Sequence, residues 1–252
     1  MQNRTVSAPR GIRVGCSGWV YKHWKGVFYP EHLSQKRWFE FYAGEFDTVE
    51  INASFYRLPT AKTFDKWREQ APQHFIYAVK ANRFITHMKK LKGVKGAVDN
   101  FLKRAEHLQE ALGPILFQLP ANLHKNAQRL QAFLKLLPRD HEHAFEFRSR
   151  DWYDEEIFDL LDKHGAGLVV HDMTGSVAPV RATGKLAYLR LHGTRGKYHG
   201  RYVRPQLRDW AKWLLNERRK GRNAYAYFNN DIGGHAVEDA RALTSLLGEV
   251  SR

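Results

Sequence analysis

The chain of 252 residues carries 41 Lys and Arg against 26 Asp and Glu, which gives a formal net charge of +15 with His neutral. Its single cysteine excludes a disulfide framework and a cysteine-based zinc site, while 43% hydrophobic and 27% charged residues are typical of a folded globular protein. We see no apolar segment of signal-peptide type and no run of about 18 apolar residues, so we expect a cytoplasmic protein without a membrane partner.

Eight short apolar runs, rich in β-forming residues, predict strands along the whole chain. They cover residues 12–16, 48–51, 75–79, 115–119, 144–147, 167–170, 186–191 and 224–228. Several of these runs are apolar throughout, as expected for strands buried on both faces of a parallel sheet. We therefore expect parallel strands joined by crossover helices.

Helical stripes alternate with the predicted strands. The first contains Trp38, the second begins at an N-cap residue Thr60, and the others cover residues 101–112, 130–137, 157–161, 207–214 and 237–247. Residues 174–184 combine Gly, Pro and β-branched residues, so we expect the sixth helix to be degenerate. Eight alternations in about 250 residues predict a single-domain (β/α)8 barrel over residues 11–252, preceded by a flexible N-terminus at residues 1–10.

Functional side chains of such barrels gather where the strands end and the βα loops begin. Residues at i and i+2 of a strand point to the same face. Three predicted strands end in such polar pairs: Glu50 and Asn52, Glu146 and Arg148, and Arg190 and His192. We expect these pairs to converge on one mouth together with Trp19, Lys80, Gln118, Asp172 and Asn229.

Two interpretations of this polar mouth stay open. The acids Glu50, Glu146 and Asp172 balance the cations Lys80, Arg148 and Arg190, so the mouth is either a structural ion-pair network or a ligand pocket. As a pocket, its cations would hold an anion with Asn52, Gln118, Asn229 and Trp19. His192 would transfer a proton, because its unperturbed pKa is near neutral, and the three acids would orient it.

The loops of the predicted mouth favour an anionic ligand. Residues 70–97 and 173–208 contain no acid, and the second stretch interleaves Arg195, Lys197 and Arg201 with Tyr198 and Tyr202. Such a pattern suits phosphates and stackable bases. Gly233 and Gly234 precede the last helix, a position that predicts a phosphate cradle at a helix N-terminus.

Other chemistries have weaker signals. Glu50, Glu146, Asp172, His171 and His192 would supply donors for a metal ion, but three cations share the predicted mouth and would repel it. The run His141, Glu142 and His143 lies before the fifth strand, at the opposite end of the barrel, and is typical of a solvated loop. We interpret Cys16 as a small buried hydrophobe rather than a nucleophile, and no residue pattern names a cofactor.

The strand-end motifs resemble the YecE-like family, whose domain is classified as being of unknown function. They are GCSGW at residues 15–19, FYP at 28–30, TVEINASFYRLP at 48–59, FIYAVKANRFITH at 75–87, LFQLP at 116–120, FEFR at 145–148, YLRLHG at 188–193 and AYFNN at 226–230. The resemblance spans nearly the whole chain and implies a (β/α)8 barrel. It implies no activity and no catalytic residue.

We thus predict that the C-terminal barrel face binds a phosphate-bearing ligand, with nucleic acid among the candidates. Hydrolytic or acid/base chemistry on that ligand is the enzymatic hypothesis. Two alternatives remain: a non-catalytic module that binds anions or nucleic acid, and a metal-dependent hydrolase. The sequence leaves the substrate and the oligomeric state open.

Overall fold

An eight-stranded parallel sheet curls into a barrel in the computed structural model, which describes residues 8–251. The strands are β1 (Ile12–Cys16), β2 (Thr48–Ile51), β3 (Ile76–Lys80), β4 (Leu112–Gln118), β5 (His143–Glu146), β6 (Gly167–His171), β7 (Leu186–Leu191) and β8 (Asn223–Phe228). Their spatial order is β1-β8-β7-β6-β5-β4-β3-β2. The predicted single-domain (β/α)8 barrel is confirmed, whereas residues 1–7 of the predicted flexible N-terminus lie outside the described residues.

Helices cover the outside of the barrel. They are α1 (Trp38–Ala43), α2 (Ala53–Tyr56), α3 (Ala61–Gln70), α4 (Lys95–Ala105), α5 (Ala127–Leu134), α6 (Glu155–His164), α7 (Arg204–Arg219) and α8 (His235–Val250). Residues 172–185, all of which the structure describes, contain no helix. The crossover between β6 and β7 therefore lacks its helix, which confirms the expected degenerate sixth helix of the barrel. Within residues 8–251, every helix is too short or too polar to cross a membrane.

Local signals set most helix boundaries. Thr60 caps α3 as predicted, because its Oγ1 accepts from the Thr63 N–H at 3.2 Å. The third helical stripe is shorter than predicted: α4 ends at Ala105, and a 3-10 turn with Gln109 at φ 50° leads into β4. Our prediction of a helix up to residue 112 was therefore wrong, because Leu112 is already the first residue of a strand.

The barrel interior is built in layers by alternate strand residues. A compact buried cluster fills its middle: Ala78, Leu116, Ala144, Val169, Leu186, Tyr188, Tyr225 and Tyr227. Two residues further along each strand, the next inward layer is polar and lies at the C-terminal mouth. That layer contains Glu50, Lys80, Gln118, Glu146, His171, Arg190 and Asn229.

The seam between β1 and β2 is closed by a side chain. In the described chain these two strands share no backbone ladder, and the Tyr42 hydroxyl lies between them. The Cys16 N–H donates to this hydroxyl at 2.8 Å, and the hydroxyl donates to the Thr48 carbonyl at 3.0 Å. Gly15 permits the close approach, because a Cβ there would collide with the Thr48 carbonyl oxygen.

Candidate functional site

A cavity of about 230 Å³ opens at the C-terminal mouth of the barrel. Six of the residues predicted from the strand ends line it: Asn52, Lys80, Gln118, Arg148, Arg190 and Asn229. Glu50, Glu146 and His192 are buried and are not part of the cavity wall. The structure thus brings the predicted cations together around one cavity and leaves Glu50, Glu146 and His192 behind it.

Arg190 and Glu50 form a bidentate pair out of contact with water. Arg190 Nε donates to Glu50 Oε1 at 2.9 Å, and Nη2 donates to Oε2 at 2.8 Å. The carboxylate also accepts from Ser17 Oγ and from the Tyr188 hydroxyl, each at 2.8 Å. Burial by itself raises the pKa of Glu50, but the Arg190 guanidinium and these donors hold that pKa below its ordinary value.

Glu146 joins two guanidinium groups. Its Oε2 accepts from Arg190 Nη1 at 2.5 Å, and its Oε1 forms an ion pair with Arg148 Nη2. Burial opposes ionisation of Glu146, yet Arg148 and Arg190 hold its pKa well below the ordinary value. Both acids are therefore ionised and already engaged, and they act as positioning residues for the two arginines.

Lys80 lies differently from the arginines. Its Nζ donates to the neutral Gln118 Oε1 at 2.9 Å and lies 4.4 Å from the centre of the Phe55 ring. Burial, reinforced by the charge of Arg190, lowers the pKa of Lys80 to about 7. The carboxylates of Glu50 and Glu146 oppose this shift only from a distance.

His192 is a neutral acceptor in this arrangement. Only 1% of its side chain is exposed, and Nε2 lies 3.2 Å from Arg148 Nη2, which has only protons to donate. The ring proton is therefore on Nδ1, which lies 3.6 Å from Asp172 Oδ1. Burial lowers the pKa of His192 to about 4, against the influence of Asp172. The structure places this predicted proton-transfer residue beneath the cavity wall.

Asp172 and His171 have separate surroundings. Asp172 accepts from the His192 N–H at 2.8 Å and from the Tyr202 hydroxyl. It also lines a groove beside Trp210, next to the crossover between β6 and β7 that has no helix. His171 Nε2 donates to the Phe147 carbonyl at 3.0 Å, and burial lowers its pKa. Among residues 8–251, no three His, Cys, Asp or Glu side chains form a group suited to a metal ion.

Comparison with known proteins places this barrel in a family. Residues 13–252 match the family model described as "Protein of unknown function DUF72". The chain belongs to the DUF72 family. The resemblance drawn from the strand-end motifs is thereby confirmed.

Relatives of this DUF72 chain share its length and fold. The UPF0759 protein YunF of Bacillus subtilis is 28% identical, and the match covers 94% of each chain. The crystal structure of a DUF72 protein from Thermotoga maritima is 28% identical with a TM-score of 0.85, covering 94% of this chain and 99% of that one. A DUF72 protein of Enterococcus faecalis, 18% identical with a TM-score of 0.81, covers 94% of this chain and 95% of its own and has the same fold.

Residues outside the predicted set of ligand-binding residues complete the cavity wall of the DUF72 chain. They are Tyr21, Phe55, Tyr56, Tyr198 and Asp231. Helix α2 carries two of these rings and is held over β3 by Ser54, whose Oγ donates to the Lys80 carbonyl at 2.6 Å. The sequence of the loop after β7 already singled out Tyr198, but no strand pattern predicted the rings of α2.

Tyr198 belongs to the loop after β7 and covers His192. Its N–H donates to the His192 carbonyl at 2.8 Å, and its ring lies 6.2 Å from the imidazole. The backbone of Tyr198 has a φ of 68°, a conformation that is uncommon for a residue with a side chain. This loop explains why His192, although nearest to the strand end, is shielded from the cavity.

Three predicted ligand-binding residues lie away from the cavity. Trp19 packs edge-on against Phe39 and Trp67 at ring distances of 5.4 Å and 5.9 Å. Gly233 and Gly234 precede α8 as expected but do not line the mouth, and the Gly234 N–H donates to the Asp231 carbonyl at 3.0 Å. The cradle expected at the start of α8 is thus separate from the cation-lined cavity.

Proposed function

We propose that the protein binds a phosphate-bearing small molecule in the mouth cavity, with the anion held between Lys80 and Arg148. The observation that carries the proposal is that these two cations, from β3 and from the end of β5, line the same cavity as Gln118 and Asn52. An anion that takes hydrogen bonds from both would neutralise charge in a site partly shielded from water.

Unpaired polar atoms support an occupant of this cavity. Arg148 Nε and Asn52 Oδ1 are buried and have no hydrogen-bond partner among the described residues. Buried polar atoms are nearly always hydrogen-bonded, because an unmade bond costs about 1–3 kcal/mol. Both side chains line the cavity, so a ligand with an oxygen acceptor and a hydroxyl or amine donor would satisfy both atoms once each side chain turns its buried atom toward the cavity.

The charge distribution favours an anion over a cation. Glu50 and Glu146 are paired with Arg190 and Arg148 behind the cavity wall. Among the described residues, the wall itself holds three basic side chains, Lys80, Arg148 and Arg190, and one acid, Asp231. Lys80 adds a further basic group whose nearest acceptor is an uncharged amide. Rings from Phe55, Tyr56 and Tyr198 flank these groups and offer flat apolar surfaces to the rest of the ligand.

The proposal is tested by unfolding in urea with and without inorganic phosphate, with sodium chloride at matched ionic strength as the control. Phosphate at ten times its Kd should raise the free energy of unfolding by about 1.4 kcal/mol, because only the folded state binds it. Arg148→Met should lose this gain. The matched variant Arg150→Met, which removes an exposed arginine two residues away, should keep it. Equal gains in both variants, or none in the wild type, would overturn the proposal.

A second candidate ligand is single-stranded nucleic acid at the rim of the mouth. The specific observation is that the loops around the mouth carry exposed cations, Arg83 and Lys89, and exposed rings, Phe84 and Tyr56. Lys89 Nζ lies 5.7 Å from the centre of the Phe84 ring. Stacked bases and phosphates suit such a surface. In the other acid-free stretch, residues 173–208, Arg204 is paired with Glu249 at 2.7 Å, so this stretch contributes less free charge than its sequence indicates.

A further inference from the structure

We propose that Lys80 is the reacting amine of this cavity and condenses with the aldehyde or ketone group of a phosphate-bearing carbonyl compound. The proposal rests on the anion pocket argued above and names the class of ligand that this pocket takes. The phosphate group would lie at Arg148, and the carbonyl carbon would lie at Lys80 Nζ. Both side chains line the one cavity.

Lys80 is placed as a nucleophile rather than as a structural cation. Within residues 8–251 it forms no ion pair, although Glu50 and Glu146 belong to the same layer of the barrel. Arginines pair with both carboxylates: Arg190 binds Glu50 through two parallel hydrogen bonds, and Arg190 and Arg148 each pair with one oxygen of Glu146. The remaining contacts of Lys80 Nζ are the Gln118 amide oxygen and the face of Phe55.

Groups from every surrounding element determine the charge of this amine. Those that face it are Glu50 on β2, Glu146 and Arg148 at the end of β5, Arg190 on β7, His87 in the segment after β3, and Asp231 after β8. Burial and the two guanidiniums outweigh the acids and lower the pKa of Lys80 to about 7. His87 adds no charge near neutral pH, because burial lowers its pKa to about 4.

A large fraction of Lys80 is therefore an uncharged amine near pH 7, whereas an ordinary lysine has fewer than about one uncharged amine in a thousand. Only the uncharged amine has a lone pair for attack on a carbonyl group. The Lys80 Nζ lone pair forms the C–N bond. The carbonyl oxygen then leaves as water with the two protons that the nitrogen gives up, and a C=N imine remains. The step needs no oxidant or reductant.

The test uses pyridoxal 5′-phosphate as a probe, because it carries an aldehyde and a phosphate on one small ring. The full chain is mixed with less than one equivalent at pH 7, reduced with sodium borohydride and mapped by peptide mass spectrometry. The matched control residue is Lys89, an exposed lysine in the connection that follows β3. Its Nζ lies 5.7 Å from the centre of the Phe84 ring, so it too is next to an aromatic face. We expect labelling of Lys80 to exceed that of Lys89 by about tenfold or more, because more of it is uncharged.

The rate of imine formation at Lys80 should reach half its maximum near pH 7, because burial lowers the pKa of this amine to about 7. Lys80→Met should abolish the main product, and Lys89→Met should leave it unchanged. Lys80→Arg supplies a permanently charged side chain without a nucleophilic amine, so it should bind phosphate without forming an imine. Equal labelling of the two lysines would overturn the proposal.

Two further measurements separate this proposal from the anion pocket. If phosphate stabilises the wild type but Lys80 remains unlabelled, the reacting amine is refuted and the pocket stands. If pyridoxal without phosphate labels Lys80 as fast as the phosphorylated probe, and Arg148→Met makes no difference, Lys80 is the reacting amine but the proposal of an anion pocket is refuted.

Discussion

Arg190 on β7 reaches across the barrel mouth to Glu50 on β2, a strand that is not its neighbour in the sheet. The side chains of this pair are 1% and 0% exposed. Because two charges are removed from water together, each depends on protein groups for its hydrogen bonds, and Arg190 is the guanidinium that pairs directly with Glu50. The pair ties opposite sides of the mouth, so Arg190 stabilises the barrel while Lys80 and Arg148 remain available to a ligand.

Arg190→Met should therefore destabilise the protein by about 3–5 kcal/mol, because it leaves Glu50 buried without its counter-charge. Urea unfolding monitored by tryptophan fluorescence measures the loss. The double variant with Glu50→Gln should recover part of it, since the stranded charge is then removed. A single variant as stable as the wild type would show that this ion pair does not stabilise the mouth.

The Tyr42 hydroxyl takes the place of a backbone ladder between β1 and β2, so Tyr42→Phe should weaken this seam. The substitution leaves the Cys16 N–H and the Thr48 carbonyl without their partner, at about 1–3 kcal/mol for each unsatisfied group. Tyr77→Phe is the matched control, because that hydroxyl serves one acceptor, the Trp67 carbonyl. We expect Tyr42→Phe to lower the free energy of unfolding more, and to speed hydrogen exchange at the Cys16 amide. Equal effects of the two substitutions would contradict this role.

The strands were predictable because each buries an apolar run between two flanking turns. The bounds of β1, β2 and β7 agree with the sequence prediction at both ends. The spacing of i and i+2 also identified the inward polar layer, since alternation is a local property of a strand. Three residues of these pairs, Asn52, Arg148 and Arg190, line the cavity. Three single residues chosen at strand ends, Lys80, Gln118 and Asn229, line it with them.

Depth within the barrel could not be read from strand spacing. His192 lies nearer to the strand end than Arg190, yet the loop that carries Tyr198 covers it. Phe55 reaches Lys80 from a four-residue helix, α2, which has no periodic signal. Such contacts depend on how loops fold over the mouth, and a pattern within one strand carries no information about them.

Binding of single-stranded DNA at the rim should depend on the exposed cations of the loop after β3. The double variant Arg83→Gln and Lys89→Gln should weaken binding and reduce the slope of log K against log salt by about 0.7 for each phosphate that the variant no longer neutralises. Arg204→Gln is the control, because Glu249 already pairs with that arginine. Fluorescence anisotropy at several salt concentrations measures the slopes. No binding at low salt, or a binding constant that does not change with salt concentration, would exclude this rim as a nucleic-acid surface.

Buried neutral histidines should make the protein lose stability as the pH falls from about 6.5 to 4. Burial lowers the pKa of His192 to about 4, so the folded chain stays unprotonated there while the unfolded chain gains a proton below about 6.5. The unfolded state then binds more protons, and the free energy of unfolding falls by up to about 1.4 kcal/mol per pH unit for each such group. His192→Gln keeps an acceptor for Arg148 and removes the titrating ring. The slope of its free energy of unfolding against pH should therefore fall by the equivalent of up to one bound proton. His143, whose pKa burial also lowers to about 4, lies at the other end of the barrel, and His143→Gln should flatten the curve similarly. Urea titrations at several pH values measure both slopes, and unchanged slopes in both variants would refute the assignment of neutral buried rings.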